Sequence, residues 1–199
     1  MKSVAFALAA AGLCFAASFQ QVDTAKAIGN PSAPIHMEIF SDFSCPHCKI
    51  LHEEILPRLV TDYAIPGRVY IVLREFPLSG PGHPYSREAA TAATAAARIG
   101  KYQQVADALF RNQMTWALNG KVWDTVASAL TLPEQKKVRE LAEEPSVTGE
   151  VERDWQAGTA AAINSTPTVI ISFKGRTYPF AGVPANYYSL LTQFLNSLR

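Results

Sequence analysis

The chain has 199 residues but only three cysteines, Cys14, Cys45 and Cys48. That is too few for a fold framed by disulfides, so a packed core must hold the chain together. Charge of neither sign dominates, with a formal net charge of +1 at pH 7. A near-neutral, well-mixed surface argues against nucleic acid or an anionic membrane as the main partner. Low-complexity stretches and internal repeats are missing too. The histidines outside the C-x-x-C, namely His36, His52 and His83, are scattered without paired spacing. The second half of a structural zinc site is therefore lacking. Long apolar runs are also missing. Val4 to Ala17 is the one uncharged apolar stretch at the N-terminus, and it falls short of the ~20 residues of a membrane span.

That stretch follows the basic start Met1-Lys2 and ends in Ala16-Ala17-Ser18. Basic, apolar and small-residue regions in this order make a secretory signal peptide of residues 1–18, cleaved after Ser18. Ala25-Lys26-Ala27 is a weaker cleavage point. Cys14 as a lipid anchor is disfavoured by the bulky Leu13 before it, and an uncleaved membrane anchor is the remaining alternative. Without Lys2, basic and acidic residues balance at 17 each, and both remaining cysteines lie in the C-x-x-C. Residues 19–199 are long enough to bury a core as one domain.

Residues 19–33 read as polar and turn-like. Ile35 to Phe40 reads as a strand and Lys49 to Tyr63 as a helix, with Pro57 expected to kink or break it. Pro66-Gly67 marks a turn. Val69 to Leu73 is a nearly continuous apolar run, as in a buried parallel strand. Strand, helix, strand makes a βαβ unit with a right-handed crossover. A Pro/Gly loop spans 77–86, and a helical block follows to about Ile163. In it, Arg87 to Ile99 is Ala-rich and stops at Gly100. Tyr102, Val105 and Leu109 form the next apolar stripe, and Val122 to Leu130 is a short helix. Thr131-Leu132-Pro133-Glu134 opens another with a capping box. Val147, Val151, Trp155 and Ala162 predict the buried face of the block's last helix. Thr168 to Phe173 and Arg176 to Phe180 flank the hairpin signal Lys174-Gly175. Gly182-Val183-Pro184 ends the sheet. Tyr187, Leu191, Phe194 and Leu198 mark a C-terminal amphipathic helix.

The C-x-x-C, Cys45-Pro46-His47-Cys48, stands where the first strand gives way to the helix. The first thiol thus meets the unsatisfied N–H groups and positive dipole of a helix start. A cysteine there has a depressed pKa, and the thiolate is the nucleophile of disulfide exchange. His47, when protonated, can add to this stabilisation. A purely structural disulfide is the other reading, but so short a loop gains little chain entropy and a tight bond is easily reduced.

Phe40-Ser41-Asp42-Phe43-Ser44-Cys45-Pro46-His47-Cys48 resembles the active-site segment of the DsbA-like branch of the thioredoxin superfamily. Arg74-Glu75-Phe76-Pro77-Leu78 resembles that branch's second-strand ending, and Ser165-Thr166-Pro167-Thr168 its cis-proline loop. The similarity runs from about Gly29 to the C-terminus. It implies an α/β, thioredoxin-like fold with a helical insertion, about 86–163, after the second strand of the βαβ unit.

The resemblance also implies roles. Cys45 would be the exposed nucleophile and Cys48 the buried resolving thiol, with Pro46 and His47 between them. Pro167 would be cis and face the dithiol, and Thr166 would pair with an extended substrate. Phe43, Pro46, Pro167 and Val183 would form an apolar surface for that substrate. No soluble cofactor is needed, because the cysteines carry the electrons. The implied activity is that of an extracytoplasmic, for example periplasmic, thiol–disulfide oxidoreductase acting as a dithiol oxidase, monomeric, on reduced secreted proteins. A membrane quinone-linked partner of the DsbB or vitamin K epoxide reductase type would reoxidise it. An isomerase or reductase of the same fold, or a peptide-binding module, are the alternatives. Two departures stand out. The branch often places Glu where this chain has Ile39. Glu38, one residue earlier, should point to the opposite face of the strand. Thr166 stands where DsbA itself has Val.

Overall fold

The computed structural model describes residues 24–198; the signal-peptide reading and Cys14 lie outside them. A five-stranded sheet in the order β1-β3-β2-β4-β5 organises the chain. β2 (Ile35–Ser41) and β3 (Val69–Glu75) run parallel, in register from Ile35↔Val69 to Ser41↔Glu75. β3 is buried along its whole length, which is why its sequence does not alternate. β4 (Thr168–Phe173) pairs antiparallel with β2, and β5 (Arg176–Ala181) antiparallel with β4. Lys174 and Gly175 both take left-handed conformations, φ 47° and 75°, the two-residue turn whose twist suits a hairpin. Pro179 is tolerated because β5 is an edge strand.

The segment read as turn-like holds a further short strand. β1 (Ala27–Ile28) pairs antiparallel with β3, opposite Val72 and Ile71. Gly29 follows at φ 99°, and a Cβ there would stand 2.8 Å from the Val69 carbonyl oxygen.

The crossover helix does not break at Pro57. It runs as α1 (Pro46–Ile50), a π segment (Leu51–Ile55), α2 (Leu56–Leu59) and a second π segment (Val60–Ala64). Pro57 has no N–H, and its ring would strike the carbonyl four residues back in a regular helix. The wider π turn before it removes that conflict, and the Leu56 N–H reaches back to the Leu51 carbonyl. Leu51, Ile55, Leu56, Leu59 and Tyr63 then pack onto Met37, Ile39, Ile71 and Leu73 of the sheet in one core.

The helical block comprises α3 (Ser86–Ala97), α4 (Tyr102–Arg111), α5 (Gln113–Asn119), α6 (Val122–Ser128), α7 (Leu132–Ala142) and α8 (Pro145–Ala160). α3 packs against α4, α6, α7 and α8, a position its buried alanines allow because they hold the neighbours close. Gly100 ends that stretch at φ 70°. At the start of α7, the Glu134 carboxylate accepts the Thr131 N–H at 2.8 Å, as the capping signature predicts.

α8 departs from expectation. Its buried residues are Val147, Glu150, Val151, Asp154 and Gly158. Trp155 is only half-buried, stacked on Phe76, and Ala162 is exposed beyond the helix end. The reason is charge. Lys26 Nζ lies 2.6 Å from Asp154 and 2.8 Å from Glu150, and Arg74 bridges Asp154 at 2.9 Å and Glu38 at 2.7 Å. The face that meets the sheet therefore carries carboxylates. Gly158 is where α8 comes closest, since a Cβ there would fall 2.5 Å from the Phe76 ring. The last helix, α9 (Tyr187–Ser197), buries Tyr187, Leu191 and Leu195; Phe194 is half-buried and Leu198 lies past its end. Among the described residues no helix is long and apolar enough to cross a membrane.

Candidate active site

Cys45 is the N-cap of α1, extended at φ −80° and ψ 121°, with Pro46 opening the helix. Its N–H donates to the Asp42 carbonyl at 3.0 Å, and its own carbonyl accepts from Lys49 N–H at 3.2 Å. Cys48, one turn in, is completely buried. The two thiols are unbridged, so this is the dithiol form. Their surroundings drive them apart in acidity. Cys45 is lowered to about 5, chiefly by a hydrogen bond from the Cys48 thiol. Burial opposes this, while the Thr166 side chain and the N–H groups of Cys48 and His47 add to it. Cys48 is pushed well above the ordinary thiol range, first by burial and then by Cys45 itself. Asp42 N–H, 3.4 Å from the Cys48 sulfur, works the other way.

The Thr166–Pro167 peptide bond is cis, and the Thr166 carbonyl oxygen lies 3.3 Å from the Cys45 sulfur. The Thr166 hydroxyl is buried and makes no hydrogen bond in this form. Behind the proline, the Gly182 N–H donates to the Pro167 carbonyl at 2.9 Å. That bond brings Val183, half-buried against the core, to the same side of the sheet end.

Several expectations need correction here. Cys45 is only 7% exposed, within the main core cluster and with the Thr166 carbonyl oxygen 3.3 Å from its sulfur. Phe43 is 3% exposed and packs on Phe110 at 4.8 Å between ring centres. It is thus core, and does not face a substrate. Pro167 is buried as well, whereas Pro46 and His47 are exposed. The contact from His47 to the sulfur is through its backbone N–H. Glu38 behaves as strand alternation predicts: it pairs with Arg74 on the face away from the dithiol.

Other residues of the site carry no signal as a motif. The Asp42 carboxylate is buried and accepts the Ser44 N–H at 2.7 Å, the Leu78 N–H at 2.8 Å and the Ser86 hydroxyl at 2.7 Å, with His83 Nδ1 at 2.8 Å. It ties the dithiol loop to the 77–86 loop. Only its turn to Ser44, two residues on, was readable locally. Gln113, from α5, donates to the carbonyls of Phe43 and Cys45 at 2.6 and 3.0 Å.

Among the described residues no group of His, Cys, Asp and Glu converges as a metal-ligand set. A cavity of about 750 Å³ opens beside the crossover helix, lined by Ile28, His52, Leu56, Val60, Tyr102 and Arg111 among others, and neither cysteine lines it. The Cys45 sulfur lies instead at the seam between a helix start and the cis-proline loop.

A family model described as thioredoxin matches residues 21–179. Disulfide bond formation protein D of Bacillus subtilis is 25% identical over 153 residues, covering 74% of this chain and 67% of that protein. The Na(+)/H(+) antiporter NhaA 3 of Salinispora tropica is 29% identical over 152 residues, 76% of this chain. The match spans only 22% of the antiporter's own length. Among solved structures, Wolbachia pipientis alpha-DsbA1 superimposes with a TM-score of 0.69 at 20% identity, over 87% of this chain and 89% of that one. The matched segment runs through the dithiol, the crossover and the cis-proline loop, and the chain belongs to the thioredoxin family, with the fold of its DsbA-like members.

Proposed function

We propose that this chain is an extracytoplasmic protein thiol–disulfide oxidoreductase that works as a dithiol oxidase. The supporting observation is the placement of the two thiols of one C-x-x-C. Cys45 caps α1 with its sulfur 3.3 Å from the Thr166 carbonyl of the cis-proline loop, and Cys48 is completely buried one turn in, a placement that lowers the first thiol and raises the second. With the pair oxidised, a substrate thiolate attacks the Cys45 sulfur. Cys48 leaves and takes up a proton, as its raised pKa requires. A second substrate thiolate then attacks the substrate sulfur of the mixed disulfide, and Cys45 departs as a stabilised thiolate. The substrate loses two electrons and two protons; one proton stays on Cys48 and one goes to solvent. The cysteines carry the electrons without a soluble cofactor.

In this reading the backbone at Thr166 and cis-Pro167 receives the extended substrate as an added strand, with Pro46 and Val183 at its margins. Reduced secreted proteins are the substrates. A quinone-linked membrane protein of the DsbB or vitamin K epoxide reductase type removes the electrons. Residues 1–18 direct export in this reading, and their cleavage leaves the domain outside the cytoplasm.

Equilibration with glutathione buffers tests the direction. A stabilised Cys45 thiolate favours the reduced form, so the potential should lie nearer to the ~−120 mV of DsbA than to the ~−270 mV of thioredoxin. A value at the thioredoxin end removes the oxidase reading and leaves a reductase. Retention of cellular effect after replacing both cysteines with Ser would favour a peptide-binding module.

A further inference from the structure

The helical block reaches the dithiol loop through a side chain that the chemistry above does not use. Gln113 opens α5 and is 2% exposed. Its Nε2 donates to the Phe43 carbonyl at 2.6 Å and to the Cys45 carbonyl at 3.0 Å, across 70 and 68 positions of chain. These carbonyls bracket Ser44 and the helix cap. The Cys45 carbonyl also begins the helix by accepting from Lys49 N–H, and the Cys45 N–H is held by Asp42. Both backbone polar groups of the reactive residue are therefore committed, and the contribution from outside its own loop and helix comes from Gln113. The same part of the block grips the loop and helix twice more. Phe110 packs on Phe43 with ring centres 4.8 Å apart, and its carbonyl accepts from Lys49 Nζ at 2.7 Å.

We propose that Gln113 is a positioning residue: by holding the Phe43 and Cys45 carbonyls it keeps Cys45 in its extended cap conformation, with the sulfur over the first-turn N–H groups. Through it the packing of α4 and α5 sets the reactivity of the dithiol. An unheld cap residue has other conformations open to it, and in those the sulfur moves away from the N–H groups of His47 and Cys48. The thiolate is then less stabilised, and the disulfide is a weaker oxidant. This rests on Cys45 being the reactive thiol, not on the direction of electron flow.

The test compares Gln113→Leu, which removes both donors at similar volume, with Trp116→Phe. The latter lies in the same helix and loses the Nε1 bond to the Leu109 carbonyl, 2.7 Å away, together with part of a fully buried ring, while the Gln113 amide stays in place. Ultraviolet thiolate absorbance against pH reads Cys45 directly, and glutathione equilibration reads the disulfide. Gln113→Leu should raise the Cys45 pKa by about one unit and shift the glutathione equilibrium about tenfold, ~30 mV, toward the disulfide. Trp116→Phe should lower the melting midpoint and leave both readings at wild type. Should the Leu variant not fold, Gln113→Asn keeps the amide but withdraws it by one methylene, and should move both readings the same way by less. Unchanged readings in a folded Gln113 variant, or equal shifts in Trp116→Phe, overturn the proposal. A wild-type potential at the thioredoxin end would sink the oxidase reading while leaving the Gln113 shift to be measured.

Discussion

At the end of β3, Lys26, Arg74, Glu75, Glu150 and Asp154 are buried together as a network of side chains with formal charges. At the start of α1, a thiolate on Cys45 would face a thiol, a hydroxyl and N–H groups. Both regions stabilise charge away from water, by different means. In the network Lys26 and Arg74 are answered by Asp154, Glu150 and Glu38, so none of these can be removed without stranding a partner. At the dithiol the negative charge is answered mainly by dipoles. Forming a disulfide discharges the sulfur and leaves no buried cation behind. A site that must gain and lose charge in every turnover needs the second design, and a joint between helix and sheet can use the first.

The largest effect should come from breaking the network. Asp154 accepts from Lys26 at 2.6 Å, from Arg74 at 2.9 Å and from the Glu75 N–H at 3.2 Å. Asp154→Ala leaves two buried cations underpaired and should cost about 3–5 kcal/mol in urea unfolding. The Cys45 pKa should stay at its wild-type value. A loss below ~1 kcal/mol, the range of a surface pair, would mean the network is not the closed unit described.

The second prediction sets the two regions against each other by pH. Cys45 falls to about 5 in the fold, below its unfolded value of ~8.5. An acid lowered by folding adds stability above its unfolded pKa and loses it as pH falls through the folded one. Glu75 is raised to about 8, first by burial, with Lys26 and the Tyr102 hydroxyl at 2.8 Å opposing. An acid raised by folding does the reverse: its contribution is complete below the unfolded value of ~4.3 and is gone once pH passes the folded one. The oxidised protein has only the Glu75 dependence of these two, so it should lose stability from about pH 4.5 to 8. The reduced protein should offset that with the Cys45 gain. Its melting midpoint should exceed that of the oxidised form by a margin that widens with pH, and Glu75→Gln should flatten the oxidised profile. A margin independent of pH would show that Cys45 carries no stabilised charge.

The contrast also explains what could be read in the chain. β2, β3, the β4–β5 hairpin and the helix start at Cys45 follow from patterns within a few residues: apolar runs, Lys174-Gly175, and Pro46 after the cap. The dithiol and the cis-proline loop were legible for the same reason. The network was not. Lys26 meets Asp154 across 128 positions and Arg74 meets it across 80, so the helix periodicity of α8 suggested Trp155 where the fold buries Asp154. Gln113 is silent in the sequence likewise, since a lone glutamine after Asn112 means nothing until the Phe43 and Cys45 carbonyls are placed beside it. Phe43 is ambiguous in sequence, because an apolar residue beside a cysteine looks the same whether it faces a substrate or, as here, packs on Phe110.

A smaller effect separates the groups around Cys45 from one another. The Thr166 hydroxyl is buried without a partner in the dithiol form, yet it lowers the Cys45 pKa. It acts as a donor awaiting the thiolate. Thr166→Val removes an unsatisfied hydroxyl and should stabilise the protein by about 1 kcal/mol in the fully protonated state near pH 4. The substitution should also raise the Cys45 pKa, so above pH 6, where the wild-type thiolate is formed, part of that gain is lost. Equal stabilisation at both pH values would mean the hydroxyl never reaches the sulfur.

The smallest effect should come from His47, although it sits between the two cysteines. Its side chain is exposed, and the group that reaches Cys45 is its backbone N–H, which His47→Ala retains. What the substitution removes is an imidazole that, when protonated, acts through solvent, worth about two- to fivefold in an equilibrium for an exposed charge pair. The Cys45 pKa should therefore rise by less than in Gln113→Leu. Salt gives the sharper reading. Between ~0.01 and ~1 M ionic strength the screening length shrinks from ~30 to ~3 Å. The pKa values of wild type and His47→Ala should converge over that range, while the Gln113→Leu difference persists because it comes from geometry. A His47→Ala shift as large as that of Gln113→Leu, and indifferent to salt, would mean that the dithiol is balanced by a cation after all. It would then resemble the Lys26–Asp154 network, and the division between the two regions would fail.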